Sequence, residues 1–250
     1  MNLQLIRNAT MKIKYSGITF LTDPMLSEKG KIRSFAGIAP NPTVELPITI
    51  DGILKDVNAV LLTHTHPDHF DEKAIEVLPK DILIFAQPND EGLLKTNGFN
   101  NIVIVYDFVI YENITIYRTG GEHGSGVIKE MMGEVSGFVL KSEDEPTVYW
   151  VGDSIYCDVV KEAMKHNPDI VITHSGGATK PGYPPIIMDE KQTIDLLNDY
   201  KNSRVIAIHM ESLDHCVTSR EVLEKEFNNQ NLDITRLLIP RDGDILEIKG

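Results

Sequence analysis

The sequence predicts an α/β (α+β) fold in which two mixed β-sheets pack face to face with helices outside. Three observations carry this. The chain opens on three short strands joined by tight turns, β and α segments alternate from about residue 59, and a strand-rich middle interrupts that alternation. A doubly wound parallel sheet would not begin with hairpins, because parallel neighbours need long crossovers.

In order, residues 3–7, 11–15 and 18–22 alternate apolar and polar side chains, with Ser16-Gly17 as the clearest turn signal. Residues 24–47 contain Pro and Gly and show little periodicity, which predicts a long loop, a candidate wall of a site. Strands follow at 59–62 and 82–86, each trailed by a helix, at 72–78 and near 90–95. The middle reads as strands at 102–105, 108–111, 114–117, 135–141 and 147–151. Then come a helix at 158–166, a strand at 170–173, a helix at 190–200, a strand at 205–208 and a helix at 218–228. Thr218 and Glu221 fit a capping box for the last helix. Strands at 236–239 and 245–248 close the chain around Asp242-Gly243. No composition shift marks a linker, so residues 1–250 are read as one domain.

The composition is 42% hydrophobic and 24% charged, enough for a sizeable core. A formal net charge of −13 argues against a general nucleic-acid binder and against docking on an anionic membrane. Cys157 and Cys216 make no disulfide framework and belong to no C-x-x-C pair. The first residues lack a signal-peptide pattern, and no apolar run nears the roughly 18 residues of a membrane span. A cytoplasmic protein acting on a small-molecule substrate is the expectation.

The polar signals share a position. His64, Asp153, His174 and His209 each follow an apolar strand run, at the edge where layered α/β proteins bind ligands. If those strands lie side by side, the four tips converge. The segment His64-Thr65-His66-Pro67-Asp68-His69 holds three imidazoles and a carboxylate in six residues. On an extended start, His64 and His66 share a face and can reach one ion, and Pro67 bends the chain so that Asp68 and His69 can reach another. Imidazole suits zinc, and carboxylate widens the choice to manganese or iron. Candidate ligands are His64, His66, Asp68, His69, His123, Asp153 and His209, too many for one catalytic ion and right for two. A His-rich surface turn is the bland alternative, which this spacing disfavours.

These residues resemble the metallo-β-lactamase superfamily, whose signature is H-x-H-x-D-H after a strand. Later landmarks stand in order: Gly120-Gly121-Glu122-His123, Gly152-Asp153-Ser154 and Ala207-Ile208-His209-Met210. Asn8-Ala9-Thr10 and Leu21-Thr22-Asp23-Pro24 resemble the family's first hairpin. The resemblance implies the αββα sandwich (metallo-β-lactamase fold), with His64, His66 and His123 on a first ion, Asp68, His69 and His209 on a second, and Asp153 bridging. It implies two divalent ions as cofactor, Zn2+ first, with Mn2+ or Fe2+ as alternatives. Within the superfamily the chain looks like the branch holding ascorbate-6-phosphate lactonase and many uncharacterised metal-dependent hydrolases, and by that analogy a homo-oligomer is plausible. A histidine is common where Asn8 stands, which bears on substrate more than on metal.

The expected activity is metal-dependent hydrolysis of a small anionic ester, lactone or phosphodiester, with Asp68 orienting the attacking water or accepting its proton. The alternative is a non-catalytic metal-binding or regulatory protein of the same fold; nuclease action is disfavoured by charge. His174 and His215 are the surplus histidines, candidates for substrate contact or proton donation against buried or surface-turn roles. Asp23 is expected to support a ligand imidazole, with a plain Asp-Pro turn as its bland reading. Lys180, in a Pro- and Gly-rich loop, is a candidate for meeting an anion, although a solvated turn is the commoner fate. Cys157 and Cys216 read as small buried groups.

Overall fold

The opening hairpins form where the alternation places them. In the computed structural model, which describes residues 1–230 and 232–248, β1 (Asn2–Arg7), β2 (Thr10–Tyr15) and β3 (Ile18–Thr22) pair antiparallel. The β2–β3 turn needs positive φ at both central residues. Ser16 adopts φ 47° and Gly17 φ 84°, which suits the right-handed twist of the flanking strands.

From β3 the same sheet continues in parallel through β4 (Ala59–Leu61), β5 (Leu83–Ala86) and β6 (Ile102–Ile104). The chain then crosses to a second sheet with β7 (Phe108–Tyr111), β8 (Ile114–Gly120), β9 (Ser136–Ser142) and β10 (Glu145–Trp150), antiparallel in succession. Parallel strands β11 (Ile170–His174), β12 (Arg204–Ile208) and β13 (Leu237–Leu238) extend it. The last strand, β14 (Ile245–Glu247), returns to pair with β1. The sheet orders are β14-β1-β2-β3-β4-β5-β6 and β13-β12-β11-β10-β9-β8-β7.

Helices α1 (Ile50–Leu54), α2 (Glu72–Val77), α3 (Glu91–Thr96), α4 (Val127–Met132), α5 (Asp158–Ala163), α6 (Glu190–Asp199) and α7 (Arg220–Asn229) complete the chain. Three apolar layers result. Leu5, Ile13, Phe20 and Leu61 meet Phe138, Leu140, Trp150, Ile172 and Ile206 between the sheets. Val60, Leu62 and Ile84 face Ala74 and Leu94 on one outside, while Val171, Val205 and Ala207 face Leu196, Leu197, Leu223 and Phe227 on the other. Alternate residues of the same strand therefore enter different layers, as the period of two requires. The expected sandwich of two mixed sheets with helices outside is the observed architecture.

Two local expectations fail. The capping box of Thr218 and Glu221 does not form. Ser219 is the N-cap and accepts from the Val222 N–H, while Thr218 Oγ1 donates to Glu190 at 2.7 Å. The predicted strand at 236–239 shortens to Leu237–Leu238, because a 3-10 turn capped by Asp233 occupies Ile234–Arg236. Helices α1 and α4 lie in stretches to which the sequence assigned no element; each is one turn and a half and holds one buried residue, Ile53 and Ile128, too few for a periodic signal.

Candidate active site

The strand tips do converge, though from two sheets. β10, β11 and β12 lie side by side and deliver Asp153, His174 and His209, while the loop after β4 brings His64 to His69 from the facing sheet. His123 follows β8. Backbone geometry at these tips is unusual. Gly152 has φ 74°, and a Cβ there would stand 2.4 Å from the Ser136 carbonyl oxygen, so the residue before Asp153 must lack a side chain. His209 itself sits at φ 62°, with its N–H donated to the Asn8 carbonyl at 3.2 Å. Positive φ at a non-glycine costs energy that the packed surroundings must cover, and such outliers gather at functional sites.

The side chains form two groups whose ligand-type atoms lie within 4.8 Å of one another: His64, His66 and His123, and His69, Asp153, His174 and His209. His64 Nε2 is 2.9 Å from His66 Nδ1. His69 Nε2 lies 3.2 Å from Asp153 Oδ2 and 3.3 Å from His209 Nε2. Asp68 Oδ2 is 3.7 Å from His69 Nε2 and 3.5 Å from His209 Nε2, and His123 Nε2 is 3.5 Å from Asp153 Oδ2. Ligands about 2.0–2.1 Å from a tetrahedral zinc stand roughly 3.3–3.4 Å from each other. The observed separations between ring nitrogens and carboxylate oxygens match that spacing.

Further residues orient the rings from behind. Asp23 Oδ2 is 3.1 Å from His69 Nδ1, close enough for an ion pair although the pair lacks hydrogen-bond alignment; its carboxylate also accepts from the Thr63 N–H and hydroxyl at 2.8 and 2.9 Å. His123 Nδ1 is 2.9 Å from the Ile186 carbonyl, and Cys216 Sγ is 3.6 Å from His209 Nδ1. Asn8 donates from Nδ2 to the Asp68 carbonyl at 3.0 Å, so it holds the ligand loop rather than facing the cavity. Thr65 Oγ1 donates to buried Asp90, a partner with no sequence signal.

The electrostatics ask for positive charge. Burial alone would raise the Asp153 carboxyl, but His69, His209 and the hydrogen bond from His174 hold it well below the usual range. Burial likewise opposes charging of His69, yet Asp153, Asp68 and Asp23 outweigh it and push the ring up to about 10. His209 is raised in the same way, chiefly by Asp153. The other group behaves oppositely: burial pushes His123 down to about 4 and His64 well below its ordinary value. Neutral imidazoles on one side and carboxylates calling for cations on the other suit divalent metal, which takes neutral histidine and ionised carboxylate.

Above this floor lies a cavity of about 440 Å³. His66, Asp68 and His123 form its base, Phe35, Met131, Met132 and Ile186 its apolar wall, and Arg33 and Lys180 its rim; His215 also lines it. His174 does not. It is completely buried, with Nδ1 2.6 Å from Asp153 Oδ1 and its ring stacked on His209 at 5.1 Å. Its place is against the Asp153 carboxylate, outside the cavity lining. Arg33 and Phe35 belong to the 24–47 loop expected as a candidate wall, although neither was singled out within it; Met131 and Met132 escaped the sequence reading, since nothing in their spacing distinguishes wall from surface.

The beta-lactamase superfamily domain matches residues 19–210. The UPF0173 protein YddR of Bacillus subtilis is 36% identical over 98% of both chains. Among solved structures, a possible metal-dependent hydrolase from Veillonella parvula superposes with a TM-score of 0.95, 33% identity and 99% coverage of each chain. An isothiocyanate hydrolase from Delia radicum gut bacteria gives a TM-score of 0.92 at 37% identity over 100% of both. A converging histidine and aspartate cluster on two mixed sheets, with these relatives, places the chain in the beta-lactamase superfamily, among its metal-dependent hydrolases.

Proposed function

We propose that this chain hydrolyses a small molecule at an ester, lactone or phosphodiester bond, using two divalent ions. The observation that carries the reading is the pair of adjacent ligand groups, with His66, Asp68 and His123 reaching the cavity that lies against them. His64, His66 and His123 would hold one ion, Asp68, His69 and His209 the other, and Asp153 lies between them, 3.2 Å from His69 Nε2 and 3.5 Å from His123 Nε2. Zinc fits this donor set first, with manganese or iron as alternatives. When bound, such ions make water nucleophilic near neutral pH and stabilise negative charge developing on the scissile group.

The chain's own residues do the rest. Asp68 orients the attacking water from the cavity floor. The wall of Phe35, Met131, Met132 and Ile186 excludes water and seats the apolar part of the substrate, while Arg33 and Lys180 at the rim favour an anionic end. That rim lets a chain of net charge −13 accept an anion.

A second reading concerns the electrophile. The isothiocyanate hydrolase relative and the apolar wall together support attack on a neutral cumulated carbon. No helix among the described residues is long and apolar enough to cross a membrane. The test is a panel of carboxylic esters, lactones, phosphodiesters and isothiocyanates, run on metal-loaded protein, chelated protein and His66→Ala. Turnover of one class, abolished by chelation and reduced roughly 10³-fold or more in His66→Ala, is expected, since a catalytic ion supplies several kcal/mol. No turnover of any class at full metal loading would leave the non-catalytic metal-binding protein as the answer.

A further inference from the structure

Hydrolysis at the site just proposed requires a proton to reach the departing atom, and the ligand side chains are poorly placed to supply it. The Asp68 carboxylate lies 3.7 and 3.5 Å from the Nε2 atoms of His69 and His209, so it is engaged with the ligand set. Arg33 and Lys180 stand at the rim rather than the floor.

His215 is differently situated. It lines the cavity with His66 and Asp68, yet only 6% of its surface is exposed. Phe35 packs edge-on against its ring, centroids 5.0 Å apart at 80°. Its carbonyl accepts from the Thr179 N–H at 3.0 Å, which fixes the backbone. Nδ1 is buried without a hydrogen-bond partner, and none of the described residues bonds Nε2. A buried imidazole whose polar atoms are unused is costly unless something else uses them. Nε2 is the nitrogen left for the cavity.

Resting on the hydrolase reading, we propose that His215 is the catalytic proton carrier for the leaving group. As the oxygen of the attacking water bonds to the electrophilic carbon or phosphorus, one water proton passes to Nε2. As the bond to the leaving atom breaks, that proton passes from Nε2 to the leaving atom. One water is consumed, an acid and an alcohol are released, and the ring ends as it began. Burial, which disfavours the charged ring, keeps His215 neutral and ready to accept before each turnover.

The test compares wild type, His215→Gln and His215→Ala on two ester series that share an acyl group. One series has an alkyl alcohol as leaving group, the other a nitrophenol that departs without protonation; a phosphodiester pair is built likewise. Activity on the alkyl series should fall about 10²- to 10³-fold, and on the nitrophenyl series by a factor roughly tenfold smaller, because there only acceptance of the water proton is lost and not its donation to the leaving atom. Added imidazole should restore part of the alkyl activity in His215→Ala. The ratio between series is read, so any loss of folded or metal-loaded protein scales both equally. An equal loss on both series overturns the assignment to His215 alone. A fully metal-loaded wild type that cleaves neither series, nor the phosphodiesters, overturns the hydrolase reading and this proposal with it.

Discussion

The floor and the roof of the cavity are built in opposite ways. The floor hangs from strand ends. Beneath it Asp153 and His209, with His174 against them, leave three hydrogen-bonded neighbours of one sheet, and their positions follow from the register of those strands. The roof is the loop over residues 24–47 with α4 and the 180–185 turn, and it contains almost no regular structure. It is held instead by single polar residues. Completely buried Arg7 donates to the carbonyls of Val44, Met25 and Ser27 at 3.0, 3.0 and 2.7 Å. Asp214 accepts from the N–H groups of Phe35, Ala36, Ile38 and Ala39 at 3.0–3.3 Å, from Asn41 at 2.9 Å and from the Ser34 hydroxyl. A floor fixed by sheet register resists substitution in its loops. A roof gathered on one carboxylate can be reshaped by one mutation. On the proposed reading, metal chemistry and substrate choice fall on separable parts of the molecule.

The sharpest break of that separation comes from beneath the floor. Asp23→Ala removes the carboxylate beside His69 Nδ1 together with two hydrogen bonds to Thr63. Loss of such a partner weakens metal binding about 10- to 100-fold. Metal affinity by competition with a chelator should show this drop, while KM at saturating metal stays near the wild-type value. A KM that moves as much as the metal affinity would mean that floor and roof are one unit.

How much of each region the sequence reveals follows from the same contrast. His64, His66, Asp68 and His69 are legible because a metal demands donors at fixed spacing on one short segment. Asp153 and His209 are legible because an ionisable group at the end of an apolar strand is uncommon. The opening hairpins are readable from a period of two, and inner strands such as 59–62 and 205–208 as continuous apolar runs, since these enter two apolar layers. His174 shows the limit. Its position at a strand end was plain, but whether a side chain there faces the cavity or packs against Asp153 depends on the turn after it, where Gly176 lies so close to His209 that a Cβ would stand 2.0 Å from that carbonyl oxygen. Phe35 and Asp214 carried no signal, because their roles depend on contacts between segments about 180 residues apart.

A smaller effect, confined to the roof, is expected from Asp214→Ala. Residues 34–41 lose their common acceptor, and Phe35 loses its fixed place against His215. KM should rise roughly tenfold, equivalent to about 1.4 kcal/mol, with metal affinity unchanged. The pH dependence has a definite sign. The hydrogen bonds from Ser34, Asn41, Phe35 and Ala39 overcome burial and hold the Asp214 carboxyl below its ordinary 3.8. A depressed folded-state pKa contributes stability that is present above the unfolded value and lost as pH falls through the folded one. Thermal unfolding of wild type and variant should therefore differ by a constant amount above about pH 5 and converge below about pH 4. A difference that vanishes near neutrality would mean that the carboxylate does not hold the loop.

The smallest effect belongs to the rim, and it sharpens the comparison by separating charge from shape. Lys180 and Arg33 line the cavity mouth, and neither forms an ion pair among the described residues, so each is free to meet an anion. Arg33 is exposed and Lys180 half-buried beside the cavity, where a single charge in contact with water is worth at most about 1 kcal/mol and is screened by salt within a Debye length of roughly 8–10 Å. Lys180→Ala should thus raise KM for an anionic substrate by no more than about fivefold at low salt, and by less at 0.5 M salt. KM for a neutral substrate with the same scissile bond should stay put. Equal changes for both substrates would show that Lys180 acts through the shape of the 180–185 turn, and the preference for anions would then fall to Arg33 or to the floor itself.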